Sequence, residues 1–172
     1  MYDKLLFHYL LHNKGYYCVL ILFRDINNTF FYFMYMEYIS IHHNHLNTLE
    51  KLAIKTLPNE SCAILLGKKS NTNSIVNNIL PMNNSSHSPI EFNIDSDDLY
   101  QAYNKAVLMN LDILAIFHSH PSQPIPSAKD KLFMLINPVI WIIYSTSSHT
   151  FKAFISDKQN EITEINILLI KD

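Results

Sequence analysis

The feature that most constrains the fold is an alternation, from residue 37 onward, between strand-like and helix-like spacing of apolar residues. Strands are predicted from this spacing at about 38–41, 61–67, 74–80, 90–94, 112–118, 139–145, 150–156 and 161–169. Helices are predicted at about 46–57, 95–110 and 128–136. Helices and strands that intermix in this way indicate a single α/β or α+β domain, with a mixed central sheet flanked by helices.

The helix predicted over 95–110 carries a stripe of mainly apolar side chains. Leu99, Tyr103, Ala106 and Val107 recur along it at helical spacing. We therefore expect these residues to form the face that packs against the sheet.

The first 35 residues differ in character from the rest of the chain. An apolar octet and an aromatic segment are separated by polar residues that include Arg24 and Asp25. A membrane-spanning helix needs about 20 mainly apolar residues, so this interrupted stretch does not predict one. Two interpretations stay open: an extra hairpin, or an extension upstream of a natural start at Met34 or Met36. The predicted organisation is a leader over 1–35 and one domain over 36–172.

Charge and cysteine content narrow the classes of function. The chain has 13 basic and 15 acidic residues, giving a net charge of −2, and lacks a long run of either sign. This excludes the basic surface typical of nucleic-acid binders. Two cysteines, Cys18 and Cys62, are too few for the disulfide framework of a small secreted domain, so a cytoplasmic location is predicted. Nothing in the sequence indicates an oligomeric state.

A candidate metal site follows the strand predicted over 112–118. His118 and His120 stand two residues apart at its end. Alternate strand side chains share a face, so both imidazoles can reach one ion. Prolines in the following turn lead to Ser127 and Asp130 at the start of a helix, where Asp130 can be a third ligand. Two imidazoles and a carboxylate favour Zn²⁺ with an open catalytic position.

Simpler interpretations of the same residues stand beside the metal site. The two histidines could be surface residues at a strand end. Ser127 and Asp130 could form only a capping box at the helix N-terminus. Cys62 is interpreted as a small buried hydrophobic residue rather than a ligand.

The motif resembles the signature of the JAMM (MPN-plus) metalloproteases. His118-Ser119-His120-Pro121, followed by Ser127 and Asp130, is similar to the His-x-His and Ser-x-x-Asp elements of that family. The segment over 59–67, with Glu60, resembles the part that supplies the family's upstream glutamate. The likeness runs from about residue 36 to the C-terminus and implies the cytidine-deaminase-like JAB/MPN architecture.

The resemblance also implies roles for individual residues. His118, His120 and Asp130 would bind Zn²⁺, and Glu60 would serve as general base and acid. Ser127 would help to stabilise the oxyanion. Six residues separate His120 from Ser127, whereas seven is the commonest spacing in the family, so Ser127 is the assignment that departs from the pattern.

By the same resemblance, the predicted activity is isopeptidase cleavage after the C-terminal Gly-Gly of a ubiquitin-like modifier or sulfur-carrier protein. Two alternatives stay open: release of a small amino acid such as cysteine from a sulfur carrier, and a noncatalytic MPN scaffold. Substrate contacts are predicted at His87, in the loop over 83–88, and at Ile90 and Phe92, on the strand over 90–94. That strand is expected to pair with the modifier's tail.

Overall fold

The computed structural model describes residues 3–5, 18–25, 28–35, 38–70, 73–157 and 159–171. The chain divides into two compact units, Met1–Glu37 and Tyr38–Asp172. In the first unit, three antiparallel strands lie in the order β1-β2-β3, with bounds Asp3–Leu5, Cys18–Asp25 and Asn28–Tyr35. A natural start at Met34 or Met36 stays a prediction, and Met36 lies outside the described residues.

The second unit has an α+β architecture, as predicted. Its strands and helices are β4 Tyr38–His42, α1 His43–Thr56, β5 Cys62–Lys69, β6 Asn73–Met82, α2 Ser96–Leu108, β7 Asp112–His120, α3 Ala128–Ile136, β8 Ile140–Ser145, β9 Thr150–Ser156 and β10 Ile162–Ile170. The predicted bounds of α3 agree with those observed. Within the described residues, no helix is long and apolar enough to cross a membrane.

The strands form one mixed sheet that closes on itself, in the order β10-β4-β6-β5-β7-β8-β9. A mixed sheet was predicted, but its closure was not. Strand β10 closes it because its two halves pair with different neighbours. Ile162 to Ile165 run antiparallel to β9, and Asn166 to Ile170 run parallel to β4.

Side chains on β5 alternate between two apolar layers. Ala63 and Leu65 pack in the layer that includes Leu49 and Ala53 of α1. Ile64 packs in the opposite layer, with α2. This alternation is the period-2 pattern expected of a strand covered on both sides.

The predicted buried face of α2 is partly wrong. Ala102 and Ala106 are buried, whereas Tyr103 is 57% and Val107 is 76% exposed. The alanines let the helix lie close to the sheet, with Leu99 packed beside them. The buried stripe is therefore rotated away from Tyr103 and Val107.

The strand predicted over 90–94 is also wrong, because this segment is an extended loop. Its hydrogen bonds go to a side chain rather than to a neighbouring strand: Asn84 Oδ1 accepts from the Asn93 N–H, and Asn84 Nδ2 donates to the Glu91 carbonyl. The Ser85 N–H donates to the Asn93 carbonyl. These bonds engage the backbone groups along one edge of the loop. The segment therefore forms no ladder of hydrogen bonds with a neighbouring strand.

At Gly67, β5 changes register against β6, one residue after its register shift against β7. A Cβ atom on Gly67 would lie 2.0 Å from the backbone oxygen of Ile75 and 2.5 Å from Cδ1 of Leu114. The close approach of β5 and β6 therefore requires glycine.

A polar cluster joins α1 to the end of β8. The buried Tyr144 donates its hydroxyl proton to Glu50 Oε1 at 2.7 Å, and His149 Nδ1 lies 2.9 Å from the same hydroxyl. The hydrogen bond from Tyr144 lowers the pKa of Glu50, and burial raises the pKa of Tyr144 to about 12.

Candidate metal centre

Antiparallel pairing of β5 and β7 brings the two halves of the site together. Cys62, at the start of β5, lies opposite His118, near the end of β7. Just beyond the ladder, the Ser61 N–H donates to Ser119 Oγ at 2.9 Å, and the Ser119 N–H donates to the Ser61 carbonyl. Glu60 is consequently held beside the histidines, although it lies far from them in sequence.

The predicted ligands lie close together and are buried. The Nε2 atoms of His118 and His120 are 2.9 Å apart. The Asp130 carboxylate faces both rings, with Oδ1 at 3.4 Å from His118 Nε2 and Oδ2 at 3.3 Å from His120 Nε2. These three residues each offer one ligand atom, and the atoms lie within 4.8 Å of one another.

Asp130 is oriented by a capping box at the start of α3. Ser127 Oγ accepts from the Asp130 N–H at 3.1 Å, and Asp130 Oδ2 accepts from the Ser127 N–H at 2.7 Å. The capping and ligand interpretations are therefore compatible. The cap fixes the carboxylate in an orientation that points it at the two imidazoles.

The charge states of His118 and Asp130 suit a metal ion, whereas the Asp130 and Glu60 carboxylates outweigh burial and raise the pKa of His120. Burial lowers the pKa of His118, which favours the neutral ring. Burial alone would raise the pKa of Asp130, but hydrogen bonds from His118, His120 and Ser127 outweigh it and hold that pKa well below its usual range. Neutral imidazole and ionised carboxylate are the forms that bind metals.

The donor set fits zinc. At 2.9 Å, the two ring nitrogens form a hydrogen bond if one of them is protonated, and a cation would take the place of that proton if both are unprotonated. Two imidazole nitrogens and one carboxylate are a known ligand set of catalytic zinc, which keeps a further position open. His118, His120 and Asp130 could therefore hold the ion.

Glu60 borders this group and is 4% exposed. Its Oε1 lies 3.8 Å from His120 Nε2. Burial raises the pKa of Glu60 to about 7. Its backbone N–H donates to the Ser88 carbonyl, and its carbonyl accepts from Asn84 Nδ2, both at 2.9 Å.

The contacts that hold Glu60 were not predicted from the sequence. Asn84 and Ser88 lie in a segment rich in asparagine and serine. Nothing in its composition distinguishes these two residues from their neighbours. Only the fold shows that they reach back to the glutamate.

A cleft of about 420 Å³ opens beside these groups. Its lining includes Glu60, His120, Ser127, Ile90 and Ile125. The predicted contact Ile90 thus lines the cleft, and so does Ser127 despite its shortened spacing from His120.

The other two predicted contacts are placed differently from Ile90. Phe92 stacks on the His118 ring, with the ring centroids 4.7 Å apart. His87 is exposed, has a positive φ of 47°, and does not line the cleft.

Cys62 is fully buried, in agreement with its interpretation as a small hydrophobic residue. Its Sγ lies 3.7 Å from the Met82 carbonyl. Burial raises the pKa of the Cys62 thiol to about 12, so the thiolate form that binds metals is disfavoured.

Known proteins share both the sequence pattern and the fold. Residues 42–156 match the model of prokaryotic homologs of the JAB domain. A desampylase of Pyrococcus furiosus is 36% identical over 111 residues, which cover 64% of this chain and 76% of the relative.

Two solved structures extend the comparison. The solution structure of a Desulfitobacterium hafniense protein has a TM-score of 0.70 and 28% identity, and the match covers 78% of this chain and 94% of that one. A Salinibacter ruber protein of 22% identity shares the fold, with a TM-score of 0.60 over 76% of this chain and 91% of that one. The chain belongs to the family of prokaryotic homologs of the JAB domain.

Proposed function

We propose that the protein is a zinc-dependent isopeptidase that hydrolyses the bond after the C-terminal Gly-Gly of a ubiquitin-like or sulfur-carrier modifier. One arrangement carries the proposal: the buried carboxylate of Glu60 borders a cluster of two histidines and an aspartate that fits zinc. Similarity to a desampylase supports the same class of reaction.

In this proposal, His118, His120 and Asp130 hold the ion. Zinc in such a site supplies Lewis acidity, which makes a water molecule acidic near neutral pH and polarises a carbonyl group. Glu60 accepts a proton from the attacking water as the water oxygen bonds to the carbonyl carbon. It then gives that proton to the nitrogen as the C–N bond breaks. A pKa of about 7 suits a group that must both accept and donate a proton.

Ser127 is proposed to stabilise the negative charge on the carbonyl oxygen. Its hydroxyl oxygen already accepts a hydrogen bond from the Asp130 N–H. The hydroxyl proton is therefore available to donate, because a serine hydroxyl can accept and donate at the same time. Ser127 also lines the cleft, where that donor would act on the reacting carbonyl.

The modifier's tail is proposed to lie along the loop over 90–94. The Glu91 carbonyl and both backbone groups of Asn93 are bonded to Asn84 and Ser85 on one side. In the part of the chain that the structure describes, the N–H and carbonyl of Phe92 make no hydrogen bond. An extended tail can pair with them, as peptides pair with the edge of a sheet.

Pairing of this kind depends on the backbone of the tail and tolerates different amines beyond the cut. Rates for one modifier joined to different lysine-bearing targets are expected to agree within about tenfold, or ~1.4 kcal/mol in barrier. Replacing the terminal glycine of the modifier by valine should greatly reduce cleavage.

The deciding experiment compares two substrates, a Gly-Gly modifier joined to a lysine side chain and the same modifier joined to cysteine. We expect cleavage of the lysine conjugate, its loss with a zinc chelator and its return with added zinc. Cleavage of the cysteine adduct alone would favour release of a small amino acid. Zinc binding without cleavage of either substrate would favour a noncatalytic scaffold.

A further inference from the structure

One buried side chain, that of Asn84, joins the backbone of Glu60 to the loop over 90–94. Asn84 is 8% exposed. Its Nδ2 donates to the Glu60 carbonyl at 2.9 Å and to the Glu91 carbonyl at 3.1 Å. The residue proposed as the base and the loop proposed to bind the modifier's tail are therefore bonded to the same amide group.

The remaining hydrogen-bonding capacity of the Asn84 amide is also used. Its Oδ1 accepts from the Ser86 N–H at 3.0 Å and from the Asn93 N–H at 3.1 Å. An amide side chain has two N–H donors and an oxygen that can accept twice, so all four positions are occupied. A buried side chain bonded in four directions has one defined orientation, and it fixes the spacing of the backbone segments around it.

Glu60 is held by the segment over 84–88 at both of its backbone groups. Its carbonyl accepts from Asn84, and its N–H donates to the Ser88 carbonyl at 2.9 Å. Within the residues that the structure describes, no N–H or hydroxyl group donates to its carboxylate, whose Oε1 lies 3.8 Å from His120 Nε2. The direction of the carboxylate therefore depends on where the backbone of Glu60 is held.

The loop over 90–94 is bonded to the same segment a second time. The Ser85 N–H donates to the Asn93 carbonyl at 2.9 Å, and Asn93 Nδ2 donates to Ser85 Oγ at 2.8 Å. In an extended segment, the backbone groups of successive residues point to opposite edges. The backbone groups of Phe92, which precedes Asn93, therefore point away from Asn84, to the edge where the tail is proposed to pair.

We propose that Asn84 is a positioning residue for the proposed reaction. It holds Glu60 and the loop over 90–94 at one fixed separation, so that a tail paired with Phe92 presents its terminal carbonyl group to the carboxylate. The inference rests on the isopeptidase function proposed above. Asn84 itself is not among the residues that line the cleft or that could hold the metal. Its effect on the rate is expected because an error of about 1 Å in the placement of reacting groups can cost about 100-fold.

The kinetic test compares Asn84→Ala with Asn83→Ala, which changes a neighbour of the same type that is exposed. The substrate is a peptide that ends in Gly-Gly joined to a fluorogenic amine. We expect Asn84→Ala to lower kcat by at least about tenfold and to raise KM, with zinc content unchanged. Asn83→Ala should match wild type.

The change in KM separates positioning from loss of folded protein. A variant that is only partly folded has a lower kcat but an unchanged KM, because the folded fraction binds normally. A fall in kcat without a rise in KM would therefore contradict the proposal. A kcat of Asn84→Ala within about twofold of wild type would overturn it as well.

A second pair of variants isolates the bonds that Asn84 donates, and serves also if Asn84→Ala does not fold. Asn84→Asp keeps the size and the accepted bonds, but a carboxylate cannot donate to the carbonyls of Glu60 and Glu91. Asn93→Asp adds the same charge to the same loop and removes only the bond to Ser85 Oγ. We expect Asn84→Asp to repeat the kinetic change and Asn93→Asp to stay near wild type. Equal behaviour of the two would contradict the proposal.

Amide hydrogen exchange in the zinc-free protein tests the placement of Glu60 without any turnover. The Glu60 N–H is bonded to Ser88 and not to Asn84, so it reports the position of the segment rather than the deleted bond. Asn84→Ala should speed its exchange by about tenfold, because the segment loses one of the two hydrogen bonds that hold it. Asn83→Ala should leave it unchanged. Unchanged exchange in Asn84→Ala would overturn the proposal.

The two readouts distinguish failure of this role from failure of the proposed activity. Faster exchange at Glu60 in Asn84→Ala, with no turnover by the wild-type protein, would support the placement of Glu60 by Asn84 and reject the isopeptidase. Turnover by wild type, with exchange and kinetics both unchanged in Asn84→Ala, would reject only the role of Asn84.

Discussion

Oε1 of Glu60 lies 3.8 Å from Nε2 of His120, although Glu60 precedes β5 and His120 ends β7. The contact depends on the Ser61 and Ser119 hydrogen bonds, which join the segment that carries Glu60 to the end of β7. The Asp130 carboxylate lies closer to the same His120 nitrogen, at 3.3 Å. In the proposed mechanism, Glu60 transfers the proton, and Asp130 and the histidines hold the metal.

Glu60→Gln should retain zinc and lose hydrolysis. The amide has almost the same shape as the carboxylate but cannot accept and return a proton, so a loss of at least about 100-fold in kcat is expected. Steady-state kinetics and elemental analysis on the same preparation provide the check. Activity within a few-fold of wild type would exclude Glu60 as the base.

His118→Ala should reduce bound zinc well below the roughly one ion per chain expected for wild type, because three protein ligands are typical of such sites. His43→Ala, on the exposed surface of α1, is the control and should leave zinc content unchanged. Elemental analysis after dialysis measures both. Undiminished zinc in His118→Ala would remove that residue from the ligand set.

Cys62 should resist alkylation in the folded protein. Its thiol is fully buried, and burial raises its pKa to about 12, so little reactive thiolate is present at pH 8. Mass spectrometry of the peptide containing Cys62, after iodoacetamide treatment with and without denaturant, gives the comparison. Rapid native labelling would show that the β5 strand opens readily.

Gly67→Ala should destabilise the fold by about 1–3 kcal/mol, the usual cost of forcing extra volume into a packed interior. The added methyl group would meet the backbone oxygen of Ile75, which cannot move away without disturbing β6. Urea unfolding followed by circular dichroism measures the change. A urea midpoint equal to that of wild type would mean that β5 and β6 can move apart to accept the methyl group at little cost in free energy.

Tyr144→Phe should cost about 1 kcal/mol at neutral pH by removing the hydrogen bond to Glu50. The pKa of Glu50 is lowered in the fold, so its contribution is present above its ordinary value of 4.5 and is lost as the pH falls through the lower, folded-state value. The difference between variant and wild type should therefore shrink in acid. Tyr103→Phe, on the exposed face of α2, is the control, and urea titrations at several pH values give both free energies.

The sequence was most informative where spacing and side-chain chemistry agree. His118 and His120 are two apart on a strand, and that spacing alone predicts a shared face. Ser127 and Asp130 mark the start of α3, since a capping box is a local pattern. The single-residue shortening before Ser127 did not displace it from the cleft.

Predictions failed where a nonlocal contact decides the structure. The buried face of α2 is set by how closely Ala102 and Ala106 approach the sheet, which helical spacing alone does not reveal. The loop over 90–94 has strand-like residues, but its backbone groups at Glu91 and Asn93 bond to the Asn84 side chain instead of to a neighbouring strand. The sheet closes because β10 pairs with both β4 and β9. No local sequence pattern shows which strands pair with each other.

The candidate metal ligands and Glu60 reach the site by different routes, and this favours one order of assembly. His118, His120 and Asp130 lie within one strand, turn and helix, so their approach closes only a short loop. Glu60 arrives only when β5 pairs with β7, through contacts such as Ser61 with Ser119 that span 58 residues. Short loops close at lower entropic cost than long ones. A folding chain can therefore bring these three residues together before Glu60 joins them, and in the proposed mechanism hydrolytic competence is the last property to appear.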